Sequence, residues 1–202
     1  ISKFRICNEL VVKCSTLDNQ SSIFFARQAK AIAVKRNDKL EKSEALNNLG
    51  YALYYSGKSD SALLIFQQAI QLAREVGDSN NVIGAMNRLG FIYREKGDYP
   101  KALTYYNQAL TSNVNEKNVS EAANSYLNIG VVYDDENDLK NALRYEEKGL
   151  ALYKKTNEEA HIANVFARIG NVHMDMGDTS KALDDYEQSM ALFSRNDNPR
   201  GV

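Results

Sequence analysis

The residues able to do chemistry are few and scattered. His161 and His173 are the only histidines and lie twelve positions apart. No histidine cluster supports a metal site or a catalytic triad. His173 also falls on an apolar helical stripe and reads as structural. Cys7 and Cys14 share a helical face seven residues apart. Two helical turns separate them by about 10 Å, too far for a disulfide within the helix. They read as small buried hydrophobes. Asp134-Asp135-Glu136-Asn137-Asp138 has the acidity of a cation loop. It lacks the central Gly and the terminal Glu at the required spacing, so it reads as a solvated turn. The glycines are never grouped as a phosphate loop. No basic patch is interleaved with stacking aromatics. The expectation is no enzyme, no cofactor and no metal.

The elements that hold these residues repeat. Gly50, Gly90, Gly130 and Gly170 are forty residues apart, each behind Leu49, Leu89, Ile129 or Ile169. Three positions on come Leu53, Tyr93, Tyr133 and His173. Further along lie Ala62-Leu63, Ala102-Leu103, Ala142-Leu143 and Ala182-Leu183. Phe66, Tyr106 and Tyr186 follow, while the third copy reads Tyr145-Glu146. Ala69, Ala109, Gly149 and Ser189 close the pattern. A weaker copy precedes these, with Ala29, Ile32-Ala33 and Asp38 forty before Ala69, Leu72-Ala73 and Asp78. A period of this kind marks stacked supersecondary units, each unable to bury its apolar face alone.

Within a copy, Leu46, Leu49, Gly50 and Leu53 have the three-and-four spacing of one helical face, as do Ala62, Phe66, Ala69, Ile70 and Ala73. Each copy is therefore a helix pair. Ser56-Gly57, Lys96-Gly97-Asp98, Glu136-Asn137-Asp138 and Met176-Gly177-Asp178 mark the turns, with Gly or Asn left-handed and Asp as the next cap. Asp38…Glu41, Asn118…Glu121 and Thr156…Glu159 have capping-box spacing. The predicted helices span 1–15, 19–36, 40–56, 59–76, 80–96, 99–114, 119–136, 139–156, 159–176 and 179–195. The repeated Gly and Ala positions let two helix axes approach closely. Tyr93, Tyr106, Tyr126, Tyr133, Phe166 and Tyr186 are expected in the core.

The composition agrees. The 202 residues are 44% hydrophobic and 25% charged, with two Pro, two Cys and a net charge of -1. This excludes a disordered chain and a disulfide scaffold, and lacks the charge signature of a nucleic-acid binder. No apolar run reaches the roughly eighteen residues of a membrane span. No signal-peptide pattern is present. The chain opens Ile1-Ser2-Lys3 without Met and fades at Asn198-Pro199, so both ends read as cut. The reading is a soluble fragment, cytoplasmic or periplasmic, of a larger protein. Charge is divided along it: residues 1–42 carry nine basic and four acidic side chains, the remainder sixteen and twenty-two.

On Leu89-Gly90…Tyr93…Ala102…Tyr106…Ala109, and its equivalents in the other copies, the chain resembles the tetratricopeptide repeat family. The family's Trp position is held by Leu46, Met86, Tyr126 and Phe166. The forty-residue period, longer than the usual thirty-four, is similar to that of kinesin light chains and bacterial peptide-sensing regulators. Asn47-Asn48-Leu49-Gly50 and Asp98-Tyr99-Pro100-Lys101-Ala102-Leu103 are most similar to sensor segments of bacterial signalling proteins. The resemblance implies an all-α, right-handed superhelical solenoid of antiparallel helix pairs over 1–202. It has a degenerate first pair at 1–38 and repeats at 39–78, 79–118, 119–158 and 159–198.

The family's first helices line a concave groove. The resemblance places Asn47, Tyr51, Tyr54 and Tyr55 there, then Asn87, Arg88, Phe91 and Arg94. Asn124, Asn128, Asp134 and Asp135 follow, then Arg168, Asn171 and Asp175. Asn can donate and accept bonds with an extended peptide backbone, and Tyr and Phe give contact area with few rotors to freeze. Some family members clamp acidic C-termini with Lys, Asn and Arg. Only the Asn elements are present here, at Asn47, Asn87, Asn124 and Asn128. The expected function is non-catalytic binding of a protein or peptide segment, as the sensory or scaffolding part of a bacterial signalling protein. The alternative is self-association and relay to an output domain. No nucleic-acid partner and no membrane insertion by this fragment are expected.

Overall fold

Every twenty residues the backbone makes the same left-handed turn. Positive φ occurs at Asn37, Gly57, Gly77, Gly97, Lys117, Asn137, Asn157 and Gly177. The computed structural model describes residues 2–15, 17–115 and 117–197, the side chains of 196 and 197 excepted. The described helices are α1 Lys3–Cys14, α2 Asn19–Lys35, α3 Lys39–Tyr55, α4 Ser59–Glu75, α5 Ser79–Glu95, α6 Tyr99–Asn115, α7 Val119–Asp135, α8 Leu139–Thr156, α9 Glu159–Asp175 and α10 Thr179–Asp197. The forty-residue period thus contains a twenty-residue one, because the turns within and between pairs are alike. The expected helix start at Ile1 and the stretch Asn198-Pro199 lie outside the described residues.

Each turn is closed in the same way. The amide after the left-handed residue donates five positions back, as in Asp38 to Ala33, Lys58 to Leu53, Asp98 to Tyr93 and Asp178 to His173. This is the Schellman end, which satisfies carbonyls that a helix terminus leaves open. The next helix starts on an Asp cap at Asp18, Asp38, Asp78, Asp98, Asp138 and Asp178. Two expected boxes differ. Thr156 is the last residue of α8, and Glu158 holds the cap position of α9 without a side-chain capping bond. Asn118 also caps without one. The Thr156 hydroxyl donates instead to its own turn, to the Tyr153 carbonyl and to the Glu158 carboxylate.

The chain divides into two units, Ile1–Tyr105 and Tyr106–Val202, with the division inside α6. In the first unit, α3 packs against α1, α2, α4 and α5. One of its buried clusters is Phe4, Cys7, Ala29, Ala33 and Ala45. Cys14 is only half-buried. Gly50 faces Phe66 so closely that an added Cβ would lie 2.7 Å from the ring. In the second unit, α7 packs on α8, α8 on α9 and α9 on α10. Its cluster includes Leu127, Leu150, Tyr153, Val165, Phe166 and Ile169. Gly170 faces Tyr186 as Gly50 faces Phe66.

The core aromatics divide into two groups. Tyr106 and Phe166 are buried. Tyr93, Tyr126, Tyr133 and Tyr186 are half-buried. Tyr93 stacks on Tyr105 at 5.6 Å, and Tyr133 on Tyr145 at 5.3 Å. Forty residues further on, the same pair of registers holds His173 and Asp185, hydrogen-bonded at 2.7 Å. His173 is structural in the sense that it joins α9 to α10. Its buried carboxylate partner carries no mark in the repeat pattern.

Candidate functional site

In the first unit, the candidate residues sit on α3 and α5. The three-and-four spacing of Tyr51, Tyr54 and Tyr55 brings them to one side of α3. Tyr51 and Tyr55 rings lie 4.6 Å apart, and Tyr54 and Tyr55 5.3 Å apart. Tyr54 meets Phe91 of α5 edge to face at 5.6 Å. The cluster remains open to solvent, with Tyr55 43% and Phe91 36% exposed. Arg88 lays its guanidinium over Tyr51 at 4.3 Å, and Arg94 over Phe91 at 5.1 Å. Arg94 also pairs with Glu95 at 3.0 Å.

The electrostatics follow from this packing. Burial pulls the Arg88 pKa down, opposed by the two tyrosines Tyr51 and Tyr55; a guanidinium nevertheless stays cationic at neutral pH. The Tyr55 pKa is raised, first by its hydroxyl hydrogen bond with Tyr51 and then by burial. Burial, then the nearby Glu95 charge, raises that of Tyr54. The patch is aromatic, neutral at its rings and cationic at its edge.

The asparagines have a different place. Asn47 is only 7% exposed, and its amide donates to the carbonyl and side-chain oxygens of Asn81, each at 2.9 Å. It ties α3 to the first turn of α5. Its own Oδ1 and that of Asn87 are buried without a hydrogen-bond partner.

In the second unit, the candidate residues are largely occupied by the fold. Asn124 accepts a 2.5 Å bond from the Tyr153 hydroxyl, and Asn171 a 2.7 Å bond from the Tyr186 hydroxyl. Burial pushes the Tyr153 pKa up to about 12. Arg168 donates to Glu146 Oε1 from Nε at 3.0 Å and Nη2 at 2.6 Å, and from Nη2 to the Leu127 carbonyl at 3.1 Å. Glu146 is 2% exposed. It stands where Phe66, Tyr106 and Tyr186 stand in the other copies, and a Cβ on Gly130 would lie 2.9 Å from its Cγ. Burial raises its pKa, with Arg168 acting in the opposite direction. Asn128 is half-buried. The outer end of this face is acidic: Asp134 has its pKa raised by burial and then by Asp175 and Asp135.

The sequence pattern did not show that Asn47 bonds Asn81, that Arg88 lies over Tyr51 or that Arg168 pairs with Glu146. The last had a signal. A carboxylate in an aromatic core register demands a cation within reach. Among the described residues no group of three His, Cys, Asp or Glu side chains could hold a metal. No described helix is long and apolar enough to cross a membrane.

Repeated helix pairs with Gly and Ala at their contacts define a helical repeat protein. Tetratricopeptide repeat models match residues 43–76, 81–155 and 163–196. The chain belongs to the tetratricopeptide repeat family, a helical solenoid fold used for protein–protein interaction and generally non-catalytic. No curated protein matches its sequence. Among solved structures, aspartyl phosphate phosphatase F from Bacillus subtilis is similar with a TM-score of 0.86 and 16% identity, over 97% of this chain and 52% of that one. BtubC (BKLC) from P. vanneervenii aligns with a TM-score of 0.80 and 21% identity, over 90% and 76% of the two chains. MamA from Desulfovibrio magneticus RS-1 gives 0.64 and 17%, over 100% and 99%. At these identities the likeness is one of fold.

Proposed function

We propose that the chain binds a segment of a partner protein on the α3/α5 face of its first unit, using Tyr51, Tyr54, Tyr55, Arg88, Phe91 and Arg94. The observation that carries this is the open aromatic cluster with a guanidinium over each end. Tyr and Arg are the residue types that dominate binding energy at protein interfaces, and rings with few rotors lose little entropy on contact. The segment runs along α3 and α5, which the Asn47 amide ties together through Asn81. The module serves as the sensory or scaffolding part of a larger bacterial signalling protein. Support for this comes from the fold's likeness to about half of the Bacillus phosphatase chain.

The test is a peptide-array screen with the chain and its Tyr51→Ala/Phe91→Ala/Arg94→Ala variant. Peptides captured by the first and lost by the second support the face. Unchanged capture rejects it.

A further inference from the structure

A second surface in the first unit stands apart from the α3/α5 face. Between α2 and α4, with α3 as its floor, lies an open groove of about 660 Å³. The floor is Leu49 and Leu53, and the walls carry Val34 from α2 and Leu64 from α4. Val34 is 54% and Leu64 62% exposed. The fold does not require this apolarity. The register of Leu64 is held by Thr104, Arg144 and Asp184 in the three later copies. An exposed leucine in a register that is polar in the three later copies points to contact with something besides the core.

The charges of the groove have one sign. Arg27 and Lys30, two turns and one turn from Val34 on the same face of α2, are the charged residues of its lining. Neither has an ion-pair partner among the described residues. Both lie in the stretch 1–42, where basic side chains outnumber acidic ones nine to four. The α2 wall spans two helical turns, about 10 Å. A slot of this length between two helices takes a short third helix, with apolar residues at three-and-four spacing as anchors.

We propose that this groove docks an acidic amphipathic helix of a partner protein. Its leucine-like anchors lie on Leu49, Leu53, Val34 and Leu64, and its flanking carboxylates pair with Arg27 and Lys30. This site does not depend on the aromatic face.

The test is fluorescence anisotropy of the whole chain with two labelled helical peptides. Both carry the same Leu pattern, one flanked by Glu and one by Lys. The Glu peptide is expected to bind about tenfold tighter or more, less so at high salt. Leu64→Asp, an exposed position, abolishes binding with unchanged circular dichroism. Arg27→Glu/Lys30→Glu reverses the preference towards the Lys peptide. Tyr54→Ala leaves the affinity unchanged. Equal affinity for both peptides overturns the proposal, as does loss of binding in Tyr54→Ala, which would place the helix on the α3/α5 face. Sedimentation showing self-association that Leu64→Asp removes without peptide would make a second copy the occupant, and also overturns it.

Discussion

The two units fill the same repeat registers with opposite results. In the first, Arg88 rests half-buried on the Tyr51 ring, beside the exposed rings of Tyr55 and Phe91. In the second, forty residues doubled, Arg168 is committed to a buried carboxylate and a backbone carbonyl. Asn124 and Asn171, which resemble peptide-binding asparagines in sequence, receive tyrosine hydroxyls. A register in a repeat protein fixes where a side chain starts. Whether it is available depends on what the adjacent helix offers. Here Phe66 fills the space under Gly50, while Glu146 fills it under Gly130 and draws Arg168 inward.

Substitutions at equivalent positions should separate the units, and the largest effect is expected at the arginines. Arg168→Ala leaves Glu146 buried without its cation and should cost about 3 kcal/mol by urea denaturation. Arg88→Ala loses a cation–π contact and should cost about 1 kcal/mol or less, while weakening partner capture. Equal losses would erase the distinction. Next comes Gly50→Ala, whose Cβ meets the Phe66 ring and should cost about 2 kcal/mol. Gly84→Ala has open space on the same array and should stabilise by about 0.5–1 kcal/mol through helix propensity. Lys117→Gly, at a left-handed turn position, should stabilise by about 1 kcal/mol; the other seven turns already have Gly or Asn.

The smallest effect is in pH. Glu146 has its folded pKa raised, so its contribution is complete below the unfolded value, about 4.3, and is lost as pH rises through the folded value. The capping residues Asp98, Asp138 and Asp178 have theirs lowered, first by the side-chain bonds from Lys101, Asn141 and Lys181. Their contribution is complete above about 3.9 and is lost as pH falls through the folded value. The urea midpoint should therefore rise slightly as the pH is lowered from neutral through the folded value of Glu146, and fall below about 4 as the Asp caps protonate. Glu146→Gln should shrink the rise and leave the fall.

The helix pairs were legible because spacing and turn chemistry agree. Predicted ends at 19–36, 59–76 and 139–156 differ from the observed helices by at most one residue, since a Gly or Asn turn follows each and Asp18 and Asp138 cap two of them. Lys117 was not legible as a turn residue, because the Schellman bonds around it hold a side chain that dislikes the conformation. The aromatic cluster was legible as a surface, as Tyr51, Tyr55 and Phe91 fall off the core stripe. The fate of the polar candidates was not. Asn47, Asn124 and Arg168 make bonds to residues 34, 29 and 22 positions away, and helical periodicity carries no information about partners at that range.

The central claim is that a partner engages the aromatic–arginine face of the first unit while the matching polar residues of the second serve the fold. Isothermal titration of the strongest array peptide into Tyr54→Ala/Phe91→Ala and Asn124→Ala/Asn171→Ala tests it most directly. The account predicts an affinity loss of about tenfold or more in the first variant, and a change within about twofold in the second. Loss confined to the second variant, with the first binding as the unsubstituted chain does, would contradict it.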